Sequence, residues 1–303
     1  MRALVLCIVS CLLLAGIGRA QQLSKEDQDR EKKFQEQAAA AKADSAKKYG
    51  WSYSMNTGAN LTQVSFKDWV QGGENALAYT AFLNGGAALS SECFGWSNSY
   101  NLAIGQTRLG DEGIRKTDDE IYFESLLIYK MGVYVNPYAS VTMRTQFAKG
   151  FKYDNTGIAT PVSKFFDPGY LTQSVGVAYQ PIQEVKTRFG FAVREILTSS
   201  FNAYADDPNT PEVEKSRVDG GFEWVTEAAW GFAENLTLAS RLEIFTPATD
   251  VHRTLARSDN MITAKVNKYI TASLGVQLVN DVTVSPRTQI KQVLAMGFVY
   301  AIL

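Results

Sequence analysis

Charged residues recur at every second position in segments that are otherwise apolar, and this spacing carries most of the chemistry the chain offers. Glu124 and Lys130 lie in one such segment and Arg144 in the next. Arg188 and Arg194 follow, then Asp219, Glu223 and Glu227, then Arg241 and Glu243, then Lys265. On a β-strand, residues two apart share a face. Each set therefore points one way and its apolar neighbours the other. Two arginines beside three carboxylates beside Arg241 would attract one another across strands. A polar lining of this kind is either a constriction that selects ions or small solutes or a salt-bridged filling that shuts a narrow barrel. Its signs nearly cancel, so neither anions nor cations are favoured.

Other chemistry is sparse. The only histidine, His252, sits in Asp250-Val251-His252-Arg253. Hydrolysis would need a Ser–His pair with the imidazole oriented by a third polar group, and a loop histidine beside an arginine does not fit. We therefore expect no catalytic residue and no enzyme. There is no cysteine–histidine metal spacing and no glycine-rich phosphate loop between a strand and a helix, so no metal or cofactor is expected. Asp111, Glu112, Asp118, Asp119 and Glu120 could together hold calcium through oxygen ligands. Arg115 and Lys116 cross that cluster, which favours an acidic, solvated loop. Phe151, Tyr153, Phe165 and Phe166 could stack on a sugar or fold into a barrel mouth; the outer aromatic belt is the favoured reading. Cys93 is the single cysteine left once Cys7 and Cys11 are removed with a leader, so no internal disulfide is expected.

The elements that must position these groups are strands. Leu294, Met296, Phe298, Tyr300 and Ile302 share one face, with Ala295, Gly297 and Ala301 on the other. The same alternation predicts twelve strands: Trp51–Phe66, Asn75–Ser90, Gly95–Leu109, Glu120–Tyr134, Tyr138–Lys149, Pro168–Gln180, Val185–Ser199, Val218–Gly231, Asn235–Phe245, Asp259–Val266, Lys268–Asp281 and Gln289–Leu303. Short connections alternate strictly with long ones, as in an outer-membrane barrel with tight periplasmic turns and longer outside loops. The expected fold is all-β, an antiparallel up-and-down transmembrane barrel. Phe189, Phe191, Phe222, Trp224, Leu274 and Val276 would face lipid. Trp51, Trp96, Tyr138, Tyr170, Trp230 and Tyr300 would form the interfacial girdles. Glu195 is the one charge on the apolar parity.

Two segments precede the barrel. Arg2, the apolar run Leu4–Ile17 and Gly18-Arg19-Ala20 read as a signal peptide cut after residue 20. Ile8-Val9-Ser10-Cys11 only weakly resembles a lipoprotein box. Residues 21–50 carry seven Lys/Arg against six Asp/Glu, with an alanine run and little apolar bulk. This reads as a charged, partly helical periplasmic extension, with a plug or partner-binding helix as the alternative. Residues 51–303 are the barrel. A formal net charge of -1 gives no support for nucleic-acid binding. The expected partners are the lipid bilayer and the barrel assembly machinery, reached through the last strand, and a monomer is expected.

Gln63-Val64-Ser65-Phe66-Lys67-Asp68-Trp69-Val70-Gln71-Gly72-Gly73-Glu74-Asn75 and Gly110-Asp111-Glu112-Gly113-Ile114-Arg115-Lys116-Thr117-Asp118-Asp119 carry a resemblance. They resemble the domain-of-unknown-function family numbered three-zero-seven-eight, exported proteins of Gram-negative bacteria. Phe147-Ala148-Lys149-Gly150-Phe151-Lys152-Tyr153 and Val266-Asn267-Lys268-Tyr269 are similar to further family segments, and the resemblance runs from about Gly50 to the end. It implies an outer-membrane barrel and little about activity. The chain departs from the usual aromatic ending of such barrels with Leu303, leaving Phe298 and Tyr300 to carry the insertion signal. The leading functional expectation is a porin-like passive channel for small solutes. The alternative is a non-conducting barrel that acts through its loops or its extension.

Overall fold

A computed structural model describes residues 49–65, 75–110, 113–132, 135–154, 158–207, 210–283 and 285–302. The expected signal peptide, the expected extension up to residue 48, and Phe66, Trp69, Gly72, Gly73, Asp111 and Glu112 lie outside the described residues. The barrel strands are β1 (Gly50–Val64), β2 (Ala76–Ser90), β3 (Phe94–Leu109), β4 (Arg115–Tyr129) and β5 (Asn136–Thr145). A two-stranded hairpin follows, β6 (Gly150–Tyr153) and β7 (Ala159–Ser163). The barrel resumes with β8 (Gly169–Ile182), β9 (Val185–Leu197), β10 (Ser216–Ala233), β11 (Leu236–Pro247), β12 (Leu255–Lys265), β13 (Ile270–Asn280) and β14 (Gln289–Ala301). Twelve strands close in sequence order, with β14 returning to pair with β1. Every pairing is antiparallel, and the β1–β14 pairing closes the ring, so neither strand is a free edge along its whole length.

The outward parity is apolar and exposed. Phe189, Phe191, Phe222 and Trp224 are each about half exposed, at 50%, 47%, 49% and 52%. The Phe222 ring stacks on Phe189 at 5.9 Å and meets Phe191 edge-on. A continuous surface of this kind would be untenable in water, and hydrocarbon is the solvent that suits it. Fully buried apolar residues are few (Ala192, Val225 and Phe245 among them). The fold is thus held by its hydrogen-bonded ladder and by lipid rather than by a large dry core. Glu195 stays on the outward face as the parity requires, where it accepts a hydrogen bond from Gln173 Nε2 at 3.1 Å. A wider concavity of about 430 Å³, bordered by Val141, Val175 and Phe191, lies on this same lipid-facing side.

Three expectations need correction. β4 begins at Arg115 rather than Glu120, and β12 begins at Leu255 rather than Asp259. The charged residues at those strand ends find partners across the barrel, so pairing continues where a solvated loop would have begun. The third correction concerns Tyr138 and Tyr170, which sit inside the barrel rather than in a girdle. Tyr138 is 5% exposed and shares a 2.7 Å hydrogen bond with Ser174. The Arg194 guanidinium lies over the Tyr170 ring at 5.3 Å. Trp51 and Trp96 do face outward, with ring centroids 5.9 Å apart near the short-connection end.

Candidate functional site: the barrel lumen

The register aligns one inward row across five consecutive strands. Glu227 on β10 faces Arg241 on β11, Arg241 faces Asp259 on β12, Asp259 faces Gln277 on β13, and Gln277 faces Lys291 on β14. Neighbours of opposite sign in this row attract, and Gln277 Nε2 donates to Asp259 Oδ1 at 2.6 Å. The facing wall is β4, which presents Asp118, Glu120, Tyr122 and Glu124 at alternate positions.

Ion pairs join the two walls. Glu124 binds Arg188 of β9 and, at 3.0 Å, Arg241 of β11. Arg241 also pairs with Glu227. Arg257 of β12 reaches Glu120 at 3.2 Å and Asp259 at 2.8 Å. Arg144 of β5 lies 3.4 Å from Glu120 and 3.7 Å from Glu243. Lys291 Nζ meets Asp118 at 2.8 Å. The guanidinium groups of Arg144 and Arg241 both lie over the Tyr122 ring, at 5.0 and 5.6 Å, an arrangement in which the ring quadrupole attracts the cation.

One of these pairs crosses the full width. β4 and β12 stand six strands apart whichever way the ring is traversed, so the Glu120–Arg257 bridge joins diametrically opposite strands. This chord divides the lumen. On the side of β5, β8, β9 and β10, inward side chains are packed: Val225 is 1% exposed, Glu223 2% and Arg188 5%. On the side of β13, β14, β1, β2 and β3, most inward residues are small and uncharged, with Gln277 and Lys291 near the long-connection end as the longer polar side chains. Asn56, Gly58, Asn60, Asn84, Gly86, Ser97, Ser99 and Asn101 line it, and Ser97 and Ser99 are exposed within the barrel. Phe82 is the bulky exception, its ring lying over Gly58.

Each charge named from the sequence has a definite place. Glu124, Arg144, Arg188, Glu227, Arg241 and Glu243 belong to the network. Glu223 is buried beside it in the packed half. Arg194 lies over Tyr170 and near Phe245. Asp219 is at the long-connection rim, bound by Arg253 at 2.7 Å and Arg217 at 3.1 Å. Lys130 follows β4 at the opposite rim, where it donates to Ser90 Oγ and the Ser91 carbonyl. Lys265 ends β12 at that same rim. The inward roles of Asp118, Glu120, Asp259, Arg257 and Lys291 escape the sequence reading. The same alternation within the expected strands would have found Glu120, Asp259 and Lys291, and continued past the expected starts it would have found Asp118 and Arg257.

The described members of the calcium candidate are already committed to protein cations and amides. Asp118 takes Lys291, Glu120 takes Arg144 and Arg257, and Asp119 pairs with Lys116 while accepting the Phe147 and Ala148 amides. Gly110 makes the β3–β4 turn with φ at 51°, the left-handed region that glycine enters without strain. Gln63 ends within β1 and Gly113 lies open just before β4, which Arg115 begins. The Arg115 guanidinium covers the Tyr153 ring of the hairpin at 4.3 Å. Phe165 and Phe166 pair at 6.4 Å beyond the hairpin. His252 is exposed in a short helical turn, and its backbone amide donates to Asp250.

Comparison with known proteins comes back to the motif region. Residues 61–151 match the family described as "Protein of unknown function (DUF3078)". The match is narrower than the resemblance read from the sequence, which ran to the end of the chain. No curated protein sequence matches. Among solved structures, the chain is similar to the COG4313 outer membrane channel from Pseudomonas putida F1, at 8% identity and TM-score 0.40, with 83% of this chain and 94% of that one covered. It is also similar to the translocator domain of autotransporter NalP from Neisseria meningitidis, at 11% identity and TM-score 0.34, covering 91% and 97%. The NanC porin gives 8% identity, TM-score 0.35, and coverage of 82% and 97%.

Proposed function

We propose that this protein is an outer-membrane barrel that passes small, uncharged polar solutes through an off-centre lumen. One observation carries the reading: the Glu120–Arg257 chord sets a packed half against a half lined by small amides and hydroxyls. Side chains such as Asn56, Asn84, Asn101, Ser97 and Ser99 offer both donors and acceptors and no net charge. Most of the paired charges hold their guanidinium and carboxylate groups away from the small-residue side, and the Lys291–Asp118 pair bridges that side near the long-connection end. The barrel works without an enzymatic site, and it acts as a monomer delivered by the barrel assembly machinery.

Liposome swelling with a series of sugars of increasing size tests this directly. Swelling is expected for the smallest sugars and not for disaccharides. Ser99→Trp, which projects a large ring into the small-residue half, should abolish it while heat-modifiable migration of the folded barrel is kept. Wild-type protein that is folded yet gives neither swelling nor conductance would overturn the proposal. The full-width ion pair would then favour the second reading, a closed barrel acting through its loops.

A further inference from the structure

The barrel closes through a short seam. β1 and β14 pair through five residues each, from Asn56↔Ala301 to Asn60↔Gly297, and Ile302 N–H adds one bond to the Met55 carbonyl. β1 and β2 pair through fifteen. Continuing the seam register would set Leu61 opposite Met296, Thr62 opposite Ala295 and Gln63 opposite Leu294. Among the described residues none of these pairs forms, although both segments are strand and both pair on their other sides. The seam stops where the Asn60 amide folds so close over Gly297 that a Cβ there would overlap it.

Beyond that point two strand edges face each other without a ladder. In a bilayer such edges are costly, because no water satisfies their N–H and C=O groups. The side chains at the gap are greasy and unusually bare: Leu294 is 83% exposed, the highest value of any large apolar residue described, and Leu61 and Met296 are each 66%. Inside, further along β14 toward the long-connection end, Lys291 borders a polar cavity of about 250 Å³. Arg257, Arg144, Asp118 and Glu120 line it as well, so both signs of charge are present.

We propose that this cavity and the unzipped seam together form a lateral portal for a single-tailed zwitterionic amphiphile. Its headgroup inserts into the Lys291–Asp118 and Arg257–Glu120 ion pairs, with its anionic part toward Lys291 and Arg257 and its cationic part toward Asp118 and Glu120, so that each protein charge exchanges a protein partner for one on the ligand. Its tail leaves between Leu61–Gln63 and Leu294–Met296 into the surrounding lipid. The cavity shares the Glu120–Arg257 pair with the proposed solute passage, so the two functions are told apart by measuring both on the same variants.

The test uses lysophosphatidylcholine carrying a diazirine on its acyl chain, added to vesicles that hold the full-length protein. Photolabelling mapped by mass spectrometry should be concentrated at least fivefold at Leu61, Leu294 and Met296 over the outward residues Val177 and Phe222. In a Cys93→Ser background, oxidising Thr62→Cys with Ala295→Cys to a disulfide should remove that excess, and reductant should restore it. Lys291→Ala, which leaves the seam backbone alone, should reduce the excess severalfold, whereas Lys130→Ala at the far rim should not. Even labelling around the belt, or an excess indifferent to both the disulfide and Lys291→Ala, would overturn the portal. Sugar swelling measured on the same variants reports separately on solute passage.

Discussion

The two halves of the lumen differ in how they fill the same wall curvature. From β5 through β10, the inner face uses aromatic, arginine and carboxylate side chains that interlock until little surface is left open. Tyr138, Ser174, Arg188 and Glu223 are all nearly inaccessible there. From β13 round to β3, the same alternation supplies mostly serine, asparagine, glycine and alanine, with Gln277, Lys291 and Phe82 as the longer side chains. Close packing is therefore concentrated on one side and short side chains on the other, with the β4–β12 chord as the boundary. A barrel need not be either a pipe or a plug; one ring of strands can be both, according to side-chain reach.

The largest effect that would break this contrast comes from the shared carboxylate. Glu124→Ala leaves Arg188 and Arg241 without their common partner, and removing one member of a buried charge cluster costs about 3–5 kcal/mol. The midpoint of guanidinium-induced unfolding in detergent should fall accordingly; an unchanged midpoint would mean the Glu124 cluster on the packed side does not hold the barrel together. Overpacking comes next. Ala192 is fully buried in the packed half, so Ala192→Leu should lose about 1–3 kcal/mol. Ser99→Leu, at an equivalent inward position of the open half, should stay within about 0.5 kcal/mol. Equal losses at both sites would erase the distinction between the halves.

A smaller effect, dependent on pH, belongs to the loops above the packed half. Burial raises the Asp167 carboxyl, but the Ser200 amide and Ser199 hydroxyl outweigh burial and hold it below the usual carboxylate range. In the β9–β10 loop, the Thr210 hydroxyl and then the Asp207 amide bring Glu214 down to about 2. A carboxyl depressed by folding adds stability above its unfolded value and loses it as pH falls through the folded one. The β9–β10 loop should therefore stay protected at neutral pH and open as the medium falls below about pH 4, read by hydrogen–deuterium exchange of the amides between residues 198 and 215, corrected for the intrinsic exchange rate at each pH. Asp167→Asn should show the loss of protection at higher pH. The smallest change is expected at the short-connection rim, where Lys130→Ala should move the unfolding midpoint by no more than about 0.5 kcal/mol.

Much of the architecture is legible from residue order, because a strand period of 2 is a local property. Twelve strands, their alternating connections, and the outward placing of Phe189, Phe222 and Leu274 all follow from it. Strand starts were the weak point. Asp118 and Arg257 look like loop residues until the partner that neutralises each one is known, and those partners, Lys291 and Glu120, are 173 and 137 residues away. Tyr138 and Tyr170 misled for a related reason. Tyrosine suits a headgroup interface and an arginine-lined interior equally well, and strand register alone decides which.

The amino-acid order by itself determined that this chain makes a greasy-outside, polar-inside antiparallel cylinder, since alternation and turn length act between neighbours. Which charges meet, which half of the interior is filled and where the ring is weakly fastened were decided only on closure. Those features depend on the stagger between strands and on side chains reaching across a diameter, and neither distance is written in any local stretch of residues.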